Sequence, residues 1–141
     1  MEENSCTHCE NTNCIFKNLL SQHAIEIEKF NIQKGLNVYL EDMPVKGLYI
    51  VQRGSINEYN IDKKKQKEIC QMAKSGDVFG HKDLNATKHL FNAVAIENSS
   101  ICLINKSKLL EICQKNPKQS IKLINFFTDE LNKSAERYSL I

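Results

Sequence analysis

All five glycines of the chain, Gly35, Gly47, Gly54, Gly76 and Gly80, fall between residues 35 and 80. Glycine is the residue that tight reversals tolerate best, so this is where the backbone keeps turning. Between and around the reversals lie short runs rich in β-branched and aromatic residues, at 25–32, 36–40, 48–52, 55–61 and 68–73. Such runs read as strands. Two more follow at 91–96 and 101–104. Closely spaced short strands of this kind predict an antiparallel sandwich or barrel, such as a jelly roll. The charged stretch Asp62-Lys63-Lys64-Lys65 reads as a solvated hairpin tip that blunts a sheet edge rather than as a binding patch.

Within this pattern Gly76-Asp77-Val78-Phe79-Gly80 forces a tight turn, a short polar helix or loop follows from His81, and the apolar runs return as strands. The result is a pocket-shaped insertion inside a β domain. Helix takes over afterwards. Asn105 or Ser107 can cap a segment whose apolar face is Leu109, Leu110, Ile112 and Cys113. Asn116-Pro117 then supplies a cap followed by proline at the first helical position. No residue breaks a helix over 117–141, and Ile121, Ile124, Thr128, Leu131, Ala135 and Tyr138 recur at alternating three- and four-residue steps. That spacing is a coiled-coil seam suited to pairing with a second copy, while Leu123, Phe126 and Phe127 give the other side bulk to cover a β domain.

At 141 residues, 41% hydrophobic and 26% charged, the chain has the makeup of one folded domain that needs no disulfide staples. With 19 basic against 17 acidic side chains there is no single-sign field to demand nucleic acid or a membrane surface. The acidic start carries no secretory signal and no apolar run approaches a membrane span, so the expected compartment is the cytoplasm. There, six cysteines read as metal ligands, redox groups or small buried hydrophobes before they read as disulfides. Cys6, Cys9 and Cys14 crowd into a polar segment that also holds His8, followed by a short helix with Ile15, Phe16, Leu19 and Leu20 at helical spacing. Cys102 lies between Ile101 and Leu103 in an apolar strand, where a plain core role and a ligand role are both open. Cys70 and Cys113 read as ordinary buried thiols. No phosphate-cradling loop with lysine, nucleophile elbow or His-Glu zinc motif is present, so a binding module is expected rather than an enzyme.

The order and spacing of Gly35, the run Leu48-Tyr49-Ile50-Val51-Gln52-Arg53-Gly54, Gly76-Asp77-Val78-Phe79-Gly80, Ala93 and the long final helix resemble the cyclic-nucleotide-binding domain, specifically the sensor half of Crp/Fnr-type bacterial transcription regulators. The resemblance implies a double-stranded β-helix over 24–116, a dimerisation helix over 117–141, and a cysteine-rich preface over 1–23. It implies a ligand cassette containing Gly76, Asp77, Gly80, His81, Phe91 and Asn92. One departure is Glu41-Asp42, where the family usually turns on a glycine.

A cyclic-nucleotide reader needs an acid for the ribose hydroxyl, an arginine for the phosphate, and a Ser or Thr beside it. By the resemblance His81 stands in place of the acid, Phe91 in place of the arginine and Asn92 in place of the hydroxyl, so ordinary cyclic AMP binding is not expected. Lys82, Lys88 and His89 are the nearby substitutes. The chain looks closer to the Fnr-type branch, whose members hold an oxygen-labile iron-sulfur cluster, usually 4Fe-4S. Cys6, Cys9 and Cys14 match that cluster's N-terminal ligands and Cys102 its fourth. The four residues between Cys9 and Cys14 depart from the spacing usual there. Zinc accepts the same thiolates, with His8 able to replace one, and free redox-active thiols are the remaining alternative.

The resemblance thus implies a homodimeric sensor of oxygen or nitric oxide, in which loss of the cluster frees the N-terminal segment and shifts the pairing of the seam. It also implies DNA binding through a winged helix-turn-helix, which these residues do not contain; the helix running unbroken to Ile141 favours a fragment of a longer regulator. A small-molecule sensor and a zinc-stabilised dimerisation module are the competing readings.

Overall fold

The computed structural model describes residues 27–137, and Cys6, His8, Cys9, Cys14 and the predicted first helix lie outside them. The chain divides into two compact units, one up to Ser107 and one from Lys108 onward.

Among the described residues the first unit contains eight strands: β1 (Glu28–Ile32), β2 (Asn37–Tyr39), β3 (Gly47–Arg53), β4 (Ser55–Ile61), β5 (Lys67–Lys74), β6 (Val78–Phe79), β7 (Asn92–Ala95) and β8 (Ser99–Asn105). They form two four-stranded antiparallel sheets, ordered β1-β8-β3-β6 and β2-β7-β4-β5. This is the expected jelly-roll double-stranded β-helix. Alternation along the strands sends one set of side chains between the sheets. Tyr49, Val51, Ile101 and Leu103 come from the first sheet, and Tyr39, Ile56, Ala73, Ala93 and Ala95 from the second, with Phe79 closing the β6 end. At about 25 cal/mol per Å² of buried apolar surface, this shared core is the main force holding the sheets face to face.

Two turns show how local chemistry sets the path. Asp42 adopts φ 72, so the Glu41-Asp42 corner keeps a left-handed turn without a glycine, a conformation that aspartate tolerates. At the β4–β5 hairpin Asp62 Oδ1 accepts the N–H groups of Lys64 and Gln66, which makes the lysine-rich stretch a self-satisfied solvated tip. In β5 the register steps from Glu58↔Gln71 to Tyr59↔Ile69, leaving Cys70 as the extra residue of a bulge. Cys70 is consequently part-exposed instead of buried, and Cys113 is part-exposed as well.

Helix α1 spans Lys106–Lys115 and α2 spans Pro117–Arg137. Asn105 is the cap of α1: its Oδ1 accepts from the Ser107 N–H at 2.9 Å and from the Ser107 hydroxyl. Asn116 Oδ1 accepts from the Lys118 N–H at 3.2 Å, with Pro117 opening α2 as expected. The Ser120 hydroxyl donates to the Cys113 carbonyl, tying the two helices at their junction. Leu109, Ile112 and Leu123 are buried. The described seam residues Ile121, Ile124 and Leu131 are 59%, 62% and 71% exposed. Thr128 is exposed too, its hydroxyl turned back onto the Ile124 carbonyl. Ala135 lies in the last turn of α2, and Tyr138 lies outside the described residues. No described helix is long and apolar enough to cross a membrane.

Candidate functional site

The cassette begins at the β5–β6 turn. Gly76 donates its N–H to the Val51 carbonyl and Asp77 returns its carbonyl to the Val51 N–H, while Asp77 Oδ2 accepts from the Lys74 N–H. The polar groups of this pair therefore lock β6 beside β3. At the far end of β6, Gly80 takes φ 78 and opens a short 3-10 turn, His81–Asp83. A Cβ at Gly80 would lie 3.0 Å from the Tyr49 ring, so both the conformation and the close approach require glycine.

Beneath this turn is a polar interior. Glu58 points from β4 between the sheets and is 1% exposed. Its Oε2 accepts from the Tyr39 hydroxyl at 2.9 Å, and the Lys82 ammonium stands 3.9 Å from Oε1, which has no hydrogen-bond partner among the described residues. Burial outweighs these donors and raises the Glu58 pKa, with Asp83 adding to the rise. Tyr39 is held as a neutral phenol by burial first and Glu58 second. Gln71, opposite Glu58 on β5, donates to the Val78 carbonyl at 2.9 Å and anchors β6 from the same side.

A second buried pair closes the other flank. His89 Nδ1 and Asp83 Oδ2 are 2.8 Å apart, both side chains wholly buried. The His89 imidazole stacks on Tyr39 with ring centroids 3.6 Å apart and planes 5° from parallel. Its backbone N–H and carbonyl bond Met43 and Asp42. His89 is thus built into the wall and does not offer itself to an anion.

The cassette residues anticipated from the sequence fall into distinct roles. Lys82 Nζ sits 5.3 Å from the Phe91 ring centroid, so Phe91 helps hold the cation that faces Glu58. Asn92 Oδ1 accepts the Glu41 N–H at 2.9 Å, tying β7 to the Asp42 corner. His81 is pushed down to about 4, mainly by burial and then by Lys82, with Asp83 opposing, so its imidazole is neutral at neutral pH. Phe91 borders the Glu58–Lys82 contact and Gly80 and His81 precede Lys82 in the 3-10 turn, while Asn92 serves the Asp42 corner and Gly76 and Asp77 serve the turn at the other end of β6. Glu58, Tyr39 and Asp83 belong to no sequence motif. The Glu58 signal was available: in Ser55-Ile56-Asn57-Glu58, alternation puts the carboxylate on the face of Ile56.

Cys102 lies on the opposite face of the first sheet. It pairs with Lys29 and Ile50, one residue out of phase with the inward Ile101 and Leu103. Leu48, Ile50, Ile104 and Cys102 on this face are all at most 6% exposed. A dry, apolar setting suits a thiolate donor to a solvent-sensitive cluster. Among the described residues no group of three His, Cys, Asp or Glu side chains could hold a metal, so any site using Cys102 draws its other donors from outside them.

The two-sheet β-roll carries its 3-10 turn between β6 and β7. The sequence profile of the cyclic nucleotide-binding domain matches residues 29–116, and the chain belongs to that family as the sensor domain of a Crp/Fnr-type regulator. It is 28% identical over 110 residues to electron transport regulator A of Shewanella oneidensis, covering 78% of this chain and 44% of that protein. It is 24% identical over 142 residues to the fumarate and nitrate reduction regulatory protein of Escherichia coli, covering 96% of this chain and 57% of that one. The chain thus spans about half the length of these curated relatives. FixK2 of Bradyrhizobium japonicum superposes with a TM-score of 0.72 at 27% identity, over 82% of this chain and 57% of that chain. Regulators of this family are not enzymes.

Proposed function

We propose that this sensor domain serves a transcription regulator that reads oxygen or nitric oxide through an iron-sulfur cluster held by Cys6, Cys9, Cys14 and Cys102. The observation that carries the reading is the position of Cys102, a thiol on a buried apolar face of β8 in a family member whose N-terminal segment brings three more cysteines. The cluster, when bound, supplies an oxygen-labile bond between that segment and the β-roll. Within the chain, β8 fixes Cys102 through its pairing with β1 and β3, and Leu48, Ile50 and Ile104 keep water from the thiol. The names of the Shewanella and Escherichia relatives, an electron transport regulator and a fumarate and nitrate reduction regulator, agree with respiratory control.

The cassette supports the same reading by elimination. Its cation, Lys82, already faces Glu58, and Phe91 offers no charge to a phosphate. The exposed Ile121, Ile124 and Leu131 fit a homodimer through α2, and DNA binding belongs to a winged helix-turn-helix elsewhere in the whole regulator.

Anaerobic purification with visible absorption and iron, sulfide and zinc assays tests the proposal. A brown protein that bleaches in air, and that loses iron on Cys102→Ala substitution, is the expected result. A colourless protein carrying zinc, or no metal after reconstitution, overturns it in favour of a zinc-stabilised dimerisation module.

A further inference from the structure

A lysine drawn partly out of water normally has an acid beside it, because the ammonium gives up hydration that an opposite charge restores. Lys29 of β1 is part-buried and forms an ion pair with no described residue. Its place in the sheet points to the missing anion.

In the β1–β8 pairing Lys29 stands directly opposite Cys102. Cys102 in turn stands opposite Ile50 of β3, and Ile50 opposite Val78 of β6. Directly paired residues project from the same face of a sheet with Cβ atoms roughly 4.5–5.5 Å apart. Lys29, Cys102, Ile50 and Val78 therefore make one row across the outer face of the first sheet, and Lys29 is the charged member of that row. The neighbouring polar groups of β1 are engaged elsewhere. Glu28 pairs with Leu103 on the inward side, where its charge acts on Tyr49. Asn31 pairs with Ser100, whose hydroxyl donates to Asn31 Oδ1 at 2.8 Å. A cation is thus delivered beside the Cys102 thiol with no carboxylate in its row. Because β1 is the edge strand, the lysine stem can cover the apolar row while its ammonium stays at the rim.

We propose that Lys29 is the electrostatic partner of the iron-sulfur cluster bound through Cys102, and that its positive charge slows release of the cluster from the β-roll. The inference rests on the cluster reading above. A core carried by four thiolates is anionic overall, and such centres respond to the charges and the dielectric around them. The buried Leu48, Ile50 and Ile104 lower the dielectric on this face, so a single cation beside Cys102 weighs more than one on an open surface. Lys29 also lies on the first strand after the segment that carries Cys6, Cys9 and Cys14.

The test is release of iron from the reconstituted chain to a ferrous chelator under anaerobic conditions, followed by loss of visible absorption. Lys29→Met keeps the apolar stem without the charge and should shorten the half-life of the cluster about tenfold. Lys29→Arg should stay close to wild type, and Lys29→Glu should release iron faster than Lys29→Met. Urea unfolding of the cluster-free proteins supplies a readout that a merely structural lysine would move: Lys29→Met should be no less stable than wild type, since its ammonium has no partner there. A wild-type chain that takes up no cluster removes the cluster reading and this inference with it. A wild-type chain that holds a cluster, with Lys29→Met releasing it at the same rate, overturns the role of Lys29 alone. Equal loss from Lys29→Met and Lys29→Arg also overturns it, because the effect would then follow side-chain shape and not charge.

Discussion

The neutral imidazole of His81 makes the stability of the β-roll depend on pH in a defined direction. Burial, reinforced by the Lys82 charge, lowers its pKa from 6.5 to about 4. Between those values the unfolded chain binds a proton that the folded chain refuses, so stability is full above pH 6.5 and falls as the pH drops towards 4. At about 1.4 kcal/mol per pH unit, the complete effect is ~3 kcal/mol, and about 2 kcal/mol of it is lost between pH 7 and pH 5. The measurement is urea unfolding of wild type and His81→Gln at pH 7, 6 and 5. Glutamine does not titrate, so the stability of the variant relative to wild type should improve by about 2 kcal/mol over that range. Comparing the two proteins cancels the other titrating groups. If their stabilities run parallel from pH 7 to pH 5, His81 is not the desolvated neutral group described here.

Glu58 acts with the opposite sign. Because its pKa is raised, folding holds a proton that the unfolded carboxylate releases near its ordinary value of 4.5, so Glu58→Gln should gain stability relative to wild type as the pH rises above that value, read by the same unfolding series. Gly80→Ala combines a left-handed φ with a Cβ against the Tyr49 ring and should destabilise by roughly 1–3 kcal/mol in urea; a neutral effect would mean the turn relaxes freely. Ile124→Lys puts a charge in the centre of the exposed seam and should shift sedimentation from dimer to monomer while leaving the far-ultraviolet spectrum intact; an unchanged dimer would place the interface elsewhere.

Much of this architecture is visible in the residues. The runs around Leu48 and Ile101 are continuously apolar because both faces of those strands are buried, and the Asn116-Pro117 step stops one helix and starts the next through local chemistry alone. What escaped did so for physical reasons. Strand β6 is two residues long, and Val78-Phe79 between two glycine turns has no period to detect. The bulge at Cys70 breaks the alternation of β5, so Ile69 ends up exposed although its residue type suggests a core, and Met72 faces out by plain alternation between the buried Gln71 and Ala73. In the cassette, Glu58 obeys its strand's alternation, but its partners arrive from β2 and from the turn after β6, and no local spacing announces such a meeting. The Asp83–His89 contact likewise joins two points of an irregular loop, where neither a helical nor a strand period applies. Cys6, Cys9 and Cys14 are conspicuous in sequence, and their chemistry is a matter for the metal assay.

The pairing of β1 with β8 also governs how the chain comes to be folded. Phe30 lies opposite Ile101, and Asn37 of β2 lies opposite Val94 of β7, so the opening strands of both sheets wait for partners made near the end of the roll. At a synthesis rate of about 5–20 residues per second, that wait lasts several seconds on the ribosome. The β4–β5 hairpin pairs immediately, from Ser55↔Lys74 to Ile61↔Lys67, and gives the nascent chain an early nucleus. Until β8 emerges, the edges of β1 and β3 are open to other strands, and a substitution that slows β8 from docking exposes the chain to aggregation even where the finished roll would be stable.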